Sequence, residues 1–207
     1  MRHRNRSIAL VSFLLLALAA PSYVPAASPS KGEGLKLAMR KLWEDHITWT
    51  RVFIISALGD LPDKPAATDR LLQNQVDIGN AIKPFYGDAA GTKLTALLKD
   101  HIVIAADIVT AAKTGDGGKL DASKAKWTAN ADDIATFLSA ANPKNWPAAE
   151  MKAMMRDHLA ATTAELEARL NKDWTGDVRA YDRVHDQIVT MSDALSDGII
   201  KQFPAKF

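Results

Sequence analysis

Three histidines occur in the same short context: Leu42-Trp43-Glu44-Asp45-His46-Ile47, Leu97-Leu98-Lys99-Asp100-His101-Ile102 and Met154-Met155-Arg156-Asp157-His158-Leu159. One other histidine lies outside the extreme N-terminus, His185, and it is followed by Asp186. Imidazole beside carboxylate is the raw material of two chemistries. A carboxylate can fix an imidazole tautomer for proton transfer, or several imidazoles can ligate a transition metal while carboxylates accept their second N–H. A unique reaction rarely needs three alike copies, so the repetition argues against a catalytic dyad and for a shared centre. The expected metal ligands are His46, His101, His158 and His185, with Asp45, Asp100, Asp157 and Asp186 as further ligands or outer acceptors. Imidazole with carboxylate suits a divalent transition metal such as Cu, Zn or Fe, and Met39, Met151, Met154 and Met155 lean toward copper. The rival expectation is a non-catalytic cell-envelope module, structural or partner-binding, in which each Asp-His pair is a buried hydrogen-bonded strut.

Other catalytic patterns are thin. The residues three before the repeated histidines are Trp43, Leu98 and Met155, so the Glu-x-x-His pairs of di-metal carboxylate bundles are missing, and only Asp182-x-x-His185 comes near. Gly115-Asp116-Gly117-Gly118-Lys119 has Lys113 at the first glycine position of a phosphate-binding loop and Leu120 at its Ser/Thr, so it reads as a turn. No nucleophile elbow exists around any serine. The absence of cysteine excludes thiolate metal sites, thiol catalysis and a disulfide framework.

The elements that must position the histidines are helical throughout. Met39, Trp43, His46 and Phe53 recur at three- and four-residue spacing, as do Leu94, Leu97, Leu98 and His101, and Met151, Met154, Met155 and His158. Gly59 with Pro62, Lys83-Pro84, Gly115 to Gly118 and Asn142-Pro143 with Trp146-Pro147 mark the joints. A second helix follows each histidine helix, with Asn74-x-x-Asp77-Ile78 in the first copy and Asn130-x-x-Asp133-Ile134 in the second. His185 takes the Asn position in the third. These marks lie 28, 29 and 27 residues beyond the histidines, so the repeated unit is a hairpin of two helices. A hairpin cannot bury its apolar face alone, and three copies stacked together can. The expected fold is all-α, a closed six-helix bundle built from three hairpins, in which Tyr181, His185 and Ile188 share the inner face of the last helix.

Arg2, Arg4 and Arg6, the apolar run 8–20 and the small residues through Val24-Pro25-Ala26 read as a secretory signal peptide over residues 1–26. Residues 27–34 read as a flexible lead and 35–207 as a single bundle domain. The chain is therefore expected to be exported, periplasmic or extracellular, and membrane-tethered if the signal stays uncleaved. Without those three arginines, 23 basic residues face 24 acidic ones, and no basic block exists to neutralise phosphates. Nucleic acid is excluded as a partner on that ground, and the mature chain carries no strong membrane signal.

In Leu42-Trp43-Glu44-Asp45-His46-Ile47-Thr48-Trp49-Thr50-Arg51, in the stretch from Asn74 to Pro84, and in Asp197-Gly198-Ile199-Ile200-Lys201-Gln202-Phe203-Pro204, the chain resembles a group of small bacterial exported or membrane-tethered helical proteins with repeated Asp-His motifs. The resemblance spans the whole mature chain. Members of that group lack an assigned function, and some carry the names acetylglutamate kinase or glycosyltransferase. Neither activity fits an all-α chain without phosphate-binding loops, so the resemblance implies architecture and export but no reaction.

Overall fold

The structure, a computed structural model, describes residues 30–207; the expected signal peptide lies outside the described residues. Six helices follow one another: α1 (Lys31–Leu58), α2 (Lys64–Tyr86), α3 (Asp88–Thr114), α4 (Gly117–Ala141), α5 (Ala148–Leu170) and α6 (Trp174–Gln202), then a short 3₁₀ turn (Pro204–Lys206). No strand occurs among the described residues, and none of their helices is long and apolar enough to cross a membrane.

Each helix packs against its chain neighbours, and α6 returns to pack on α1, so the six close into a ring around one apolar axis. Along that axis lie Met39, Trp43, Ile47 and Ile54 from α1, Leu94, Leu98 and Val109 from α3, Met155 and Leu166 from α5, with Ile78, Ile134 and Ile188 from the even helices. The hairpins α1–α2, α3–α4 and α5–α6 are the three repeats.

The helix interiors follow the apolar periodicity, whereas the ends are set by caps. Ser30 accepts from the Glu33 N–H while the Glu33 carboxylate accepts from the Ser30 N–H, a capping box that starts α1 at Lys31. Part of the expected flexible lead is therefore helix. Asp116 accepts from Lys119 N and starts α4 among glycines, and Asp173 accepts from Gly176 N and starts α6 at Trp174. Both helices begin earlier than apolar periodicity alone implies. Pro84 does not end α2, which runs on to Tyr86. The two aromatics beyond Pro84 are anchored: Phe85 packs on Phe203 and Phe207, and Tyr86 on Phe203 and Trp146, capping that end of the ring.

Two walls of the ring differ in kind. Between α2 and α3 the backbones touch, since a Cβ on Gly79 would stand 2.6 Å from Gly91 O and 1.9 Å from Thr95 Oγ1. Between α1 and α6 the contact is a polar ladder. Lys36 meets Asp197, Arg40 grips Asp193 with two N–H groups, Glu44 lies 3.4 Å from His185, Thr48 hydroxyl is 3.3 Å from Tyr181 hydroxyl, and Arg51 grips Asp177. Steps of three or four residues down α1 match steps of four or eight up α6, so the ladder fixes the register of closure.

The deepest rung is a buried ionic cluster. Arg51 donates to Glu165 Oε1 at 2.6 Å and to both Asp177 oxygens at 2.9 and 3.0 Å, Arg169 donates to Asp177 Oδ2 at 2.8 Å, and both carboxylates are buried. Burial pushes Glu165 up to about 7 against the pull of Arg51. Asp177 stays below its ordinary value: burial pushes it upward, but the N–H groups of Arg51 and Arg169 outweigh that.

Candidate functional site

The three repeated histidines come together. His46 on α1, His101 on α3 and His158 on α5 are 3, 3 and 4% exposed and form one layer across the bundle axis, with ring centroids 5.7 Å apart for His46–His158 and 6.2 Å apart for His101–His158. Trp43 stands edge-on to His46 at 5.7 Å, and Trp127 lies 5.0 Å from His101. The periodic apolar stripe of each odd helix carries its histidine inward, and ring closure makes the three stripes face one another.

What holds each imidazole is an amide from the second helix of its own hairpin, not an aspartate. Asn130 Nδ2 donates to Leu97 O at 3.0 Å, the carbonyl one turn before His101. A carbonyl only accepts, so the amide nitrogen must face it and the amide oxygen must face the ring. His101 Nδ1, 2.8 Å from Asn130 Oδ1, therefore carries the proton, and its Nε2 is a bare lone pair. The third hairpin repeats this with a longer side chain: Gln187 Nε2 donates to Met154 O at 3.0 Å, and His158 Nδ1 donates to Gln187 Oε1 at 3.2 Å.

The first hairpin divides the work between two residues and reverses the tautomer. Asn74 Nδ2 donates to Leu42 O at 2.9 Å. Gln75 Nε2 faces Leu71 O at 2.8 Å and Asn74 Oδ1 at 3.2 Å, which fixes its nitrogen there, and its two hydrogens are shared among those oxygens and His46 Nδ1 at 3.2 Å. His46 thus carries its proton on Nε2. Gln75 Oε1 is buried without a partner. Among the described residues no Nε2 of the three histidines makes a hydrogen bond with protein.

Burial keeps all three rings neutral. It lowers His101 to about 3 and His158 to about 4, and it holds His46 well below its ordinary value; for His46 and His101 the proximity of His158 adds to the effect. Neutral imidazole with one nitrogen hydrogen-bonded outward is the form that ligates metals.

The layer sits between two small apolar cavities. One, of about 30 Å³, is lined by Leu71, Ile102, Trp127 and Thr162; the other, of about 20 Å³, by Met39, Trp43, Met155, Met191 and Trp146. Trp127 Nε1 and Thr162 Oγ1 beside the first, and Trp43 Nε1 beside the second, are buried with no hydrogen-bond partner.

The other expected ligands lie elsewhere. His185 is half-exposed on the flank of α6 beside Glu44, because the inner face of that helix runs through Ala180, Val184, Ile188 and Met191 instead of through Tyr181 and His185. Asp45 pairs outside the core with Lys41 at 2.7 Å and Arg70 at 3.3 Å. Asp100, Asp157 and Asp186 are exposed, the last two bordering an open groove between α5 and α6. A residue one before an inward histidine is rotated about 100° away from it, which puts the aspartates on the outer flank. Among the described residues no three His, Asp or Glu side chains stand ready as a coordination sphere.

The amides Gln75 and Gln187 and the Arg51–Glu165–Asp177 cluster are absent from the sequence expectation. The amides had a signal: Gln75, Asn130 and Gln187 each lie 29 residues beyond their histidine, a constant spacing that matching by residue type obscures. Comparison of the chain with protein-family models, with curated proteins and with solved structures gives no match.

Proposed function

We propose that this chain is an exported binding protein that takes up a transition-metal ion in its core, with His101 and His158 as the nitrogen donors and His46 beside them. The observation that carries the reading is the pair of fixed tautomers: amides tied to backbone carbonyls turn the Nδ1 protons of His101 and His158 outward and leave Nε2 of each as a lone pair. A neutral imidazole held in one tautomer inside the core is a ready nitrogen donor. The cation-free state is also the right one for binding, since both rings are neutral at physiological pH. The arginine-led apolar start of the chain supports export.

Elemental analysis of the native protein, followed by calorimetric titration of the stripped protein with copper, zinc, iron and nickel salts, tests this. About one ion per chain is expected, with binding lost in His101→Leu and His158→Leu. Absence of binding tighter than micromolar, or binding unchanged in both variants, overturns it.

A second reading has its own observation. Each amide ties two helices of a hairpin through a backbone carbonyl, so the layer also serves as a structural clamp, and Asn130→Leu should destabilise the fold by about 1–3 kcal/mol with or without metal.

A further inference from the structure

We propose that the end of the bundle at which α1, α3 and α5 finish holds a second ligand site, for a small organic anion that joins a carboxylate to a flat apolar body. A cavity of about 280 Å³ opens there, lined by apolar Ile55, Leu58 and Leu170 and by Lys113, Arg169, Lys172 and Trp174. None of these residues belongs to the histidine layer. The first observation is an aromatic surface left in water. Trp174 is 56% exposed, whereas Trp43, Trp127 and Trp146 are buried. The Arg169 guanidinium lies 5.3 Å from the centroid of its ring and is itself tied to buried Asp177 at 2.8 Å, so the indole has a fixed neighbour at the cavity. A flat apolar ligand against that ring would cover surface that the fold leaves wet.

The second observation is charge. All three ionisable side chains lining the cavity are cationic, and no carboxylate among the described residues lines it. The neighbouring acids leave the balance positive. The Asp60 side chain, which pairs with Lys113, is 84% exposed and lies outside the lining; Asp177 is shared by Arg169 and Arg51; Asp173, next to Lys172, is turned into the α6 cap, where it accepts from Gly176 N. Lys172 is exposed and takes no ion-pair partner among the described residues. Helix ends oppose this, since α1, α3 and α5 bring the negative ends of their dipoles here. Capping blunts that effect on α1: Ile55 O accepts from Gly59 N, Ser56 O from Leu61 N and Ala57 O from Lys113 Nζ. Apolar walls with a few cations among them fit a carboxylate of roughly ten heavy atoms, whereas an inorganic anion would leave the apolar part of the cavity uncovered.

The test is a titration of the full mature chain with phenylacetate as the probe, followed by NMR shifts of backbone and indole N–H groups. Phenethylamine, phenylacetamide and acetate are run beside it as the cationic, neutral and ring-free counterparts. Expected are one saturable phenylacetate site per chain with a Kd of about 0.1–1 mM, shifts centred on the Trp174 indole and the Gly59 and Lys172 amides, and binding of each counterpart weaker by at least about tenfold. Lys172→Gln and Trp174→Ala, both at exposed positions, should each weaken phenylacetate by about fivefold or more while the melting temperature stays within a few degrees of the parent. Phenylacetamide or acetate binding as well as phenylacetate, or phenylacetate affinity unaltered in both variants, overturns the assignment. So does the lack of saturable shifts at these residues up to about 20 mM phenylacetate.

Discussion

His46, His101 and His158 occupy equivalent places yet are not chemically equivalent. Two expose a lone pair on Nε2 and one a proton, because Gln75, at the same 29-residue spacing as the other amides, turns its nitrogen and not its oxygen to the ring. Their shared burial has a consequence for pH. In the unfolded chain each histidine titrates near 6.5, whereas in the fold His158 and His101 titrate at about 4 and about 3 and His46 also lies well down. Below pH 6.5 the unfolded chain therefore binds more protons, and stability, full above that pH, falls as the pH drops. Glu165 acts in the opposite sense, since the folded state holds its proton up to about 7 and the unfolded chain only to about 4.5. Three histidine protons less one glutamate proton leave a net slope of about two protons, or roughly 3 kcal/mol per pH unit, between pH 4.5 and 6.5. Urea unfolding at a series of pH values should show this slope, and His101→Leu should roughly halve it. The site was half legible in sequence: the histidine stripe announces itself by period. The partner amides keep a constant spacing of 29 residues, but asparagine fills the place in one hairpin and glutamine in the other two, so a match by residue type passes over them.

At the scale of elements, helix type and number are readable from apolar spacing, and helix ends are not. α4 and α6 start where an aspartate caps a glycine-bearing turn, and that contact outweighs the usual meaning of glycine as a stop. The inner face of α6 was harder to read because Tyr181 and His185 mimic an apolar stripe, while the ring accepts Asp177, Ala180 and Val184 inward, the aspartate being neutralised by Arg51 and Arg169. Helix spacing gives a prediction of its own. Gly79→Ala would push a methyl into Thr95 and Gly91 O, and should destabilise the protein by about 1–3 kcal/mol through forced separation of α2 and α3. Gly34→Ala on α1 meets nothing within 4 Å and should stabilise by up to about 1 kcal/mol from helix propensity. Chemical denaturation of the two variants beside the parent checks both signs.

For the whole molecule, closure of the ring by α6 on α1 is what makes a shared centre geometrically available, since an open stack of the same three hairpins would leave the histidines apart. The expectation of a closed bundle was drawn from that same logic, and the structure agrees. What period and composition do not disclose is how the ring closes. Five walls join helices adjacent in the chain; the sixth joins residues 126 to 161 positions apart, from Arg51 with Asp177 to Lys36 with Asp197, and it is the one built from a charged ladder. Contacts so distant in sequence form late, after the hairpins have met, because loop closure must be offset first. The seam is thus the last part of the molecule to assemble and the first to part, and its exposed rungs feel dissolved ions while the Gly79–Gly91 wall does not. Raising sodium chloride from low to molar concentration should accelerate unfolding more than it slows refolding in stopped-flow experiments, and Arg40→Gln should remove part of that salt dependence. Any guest sealed in the histidine layer would then come and go at a rate governed by this seam, so that residence time and ionic strength become linked.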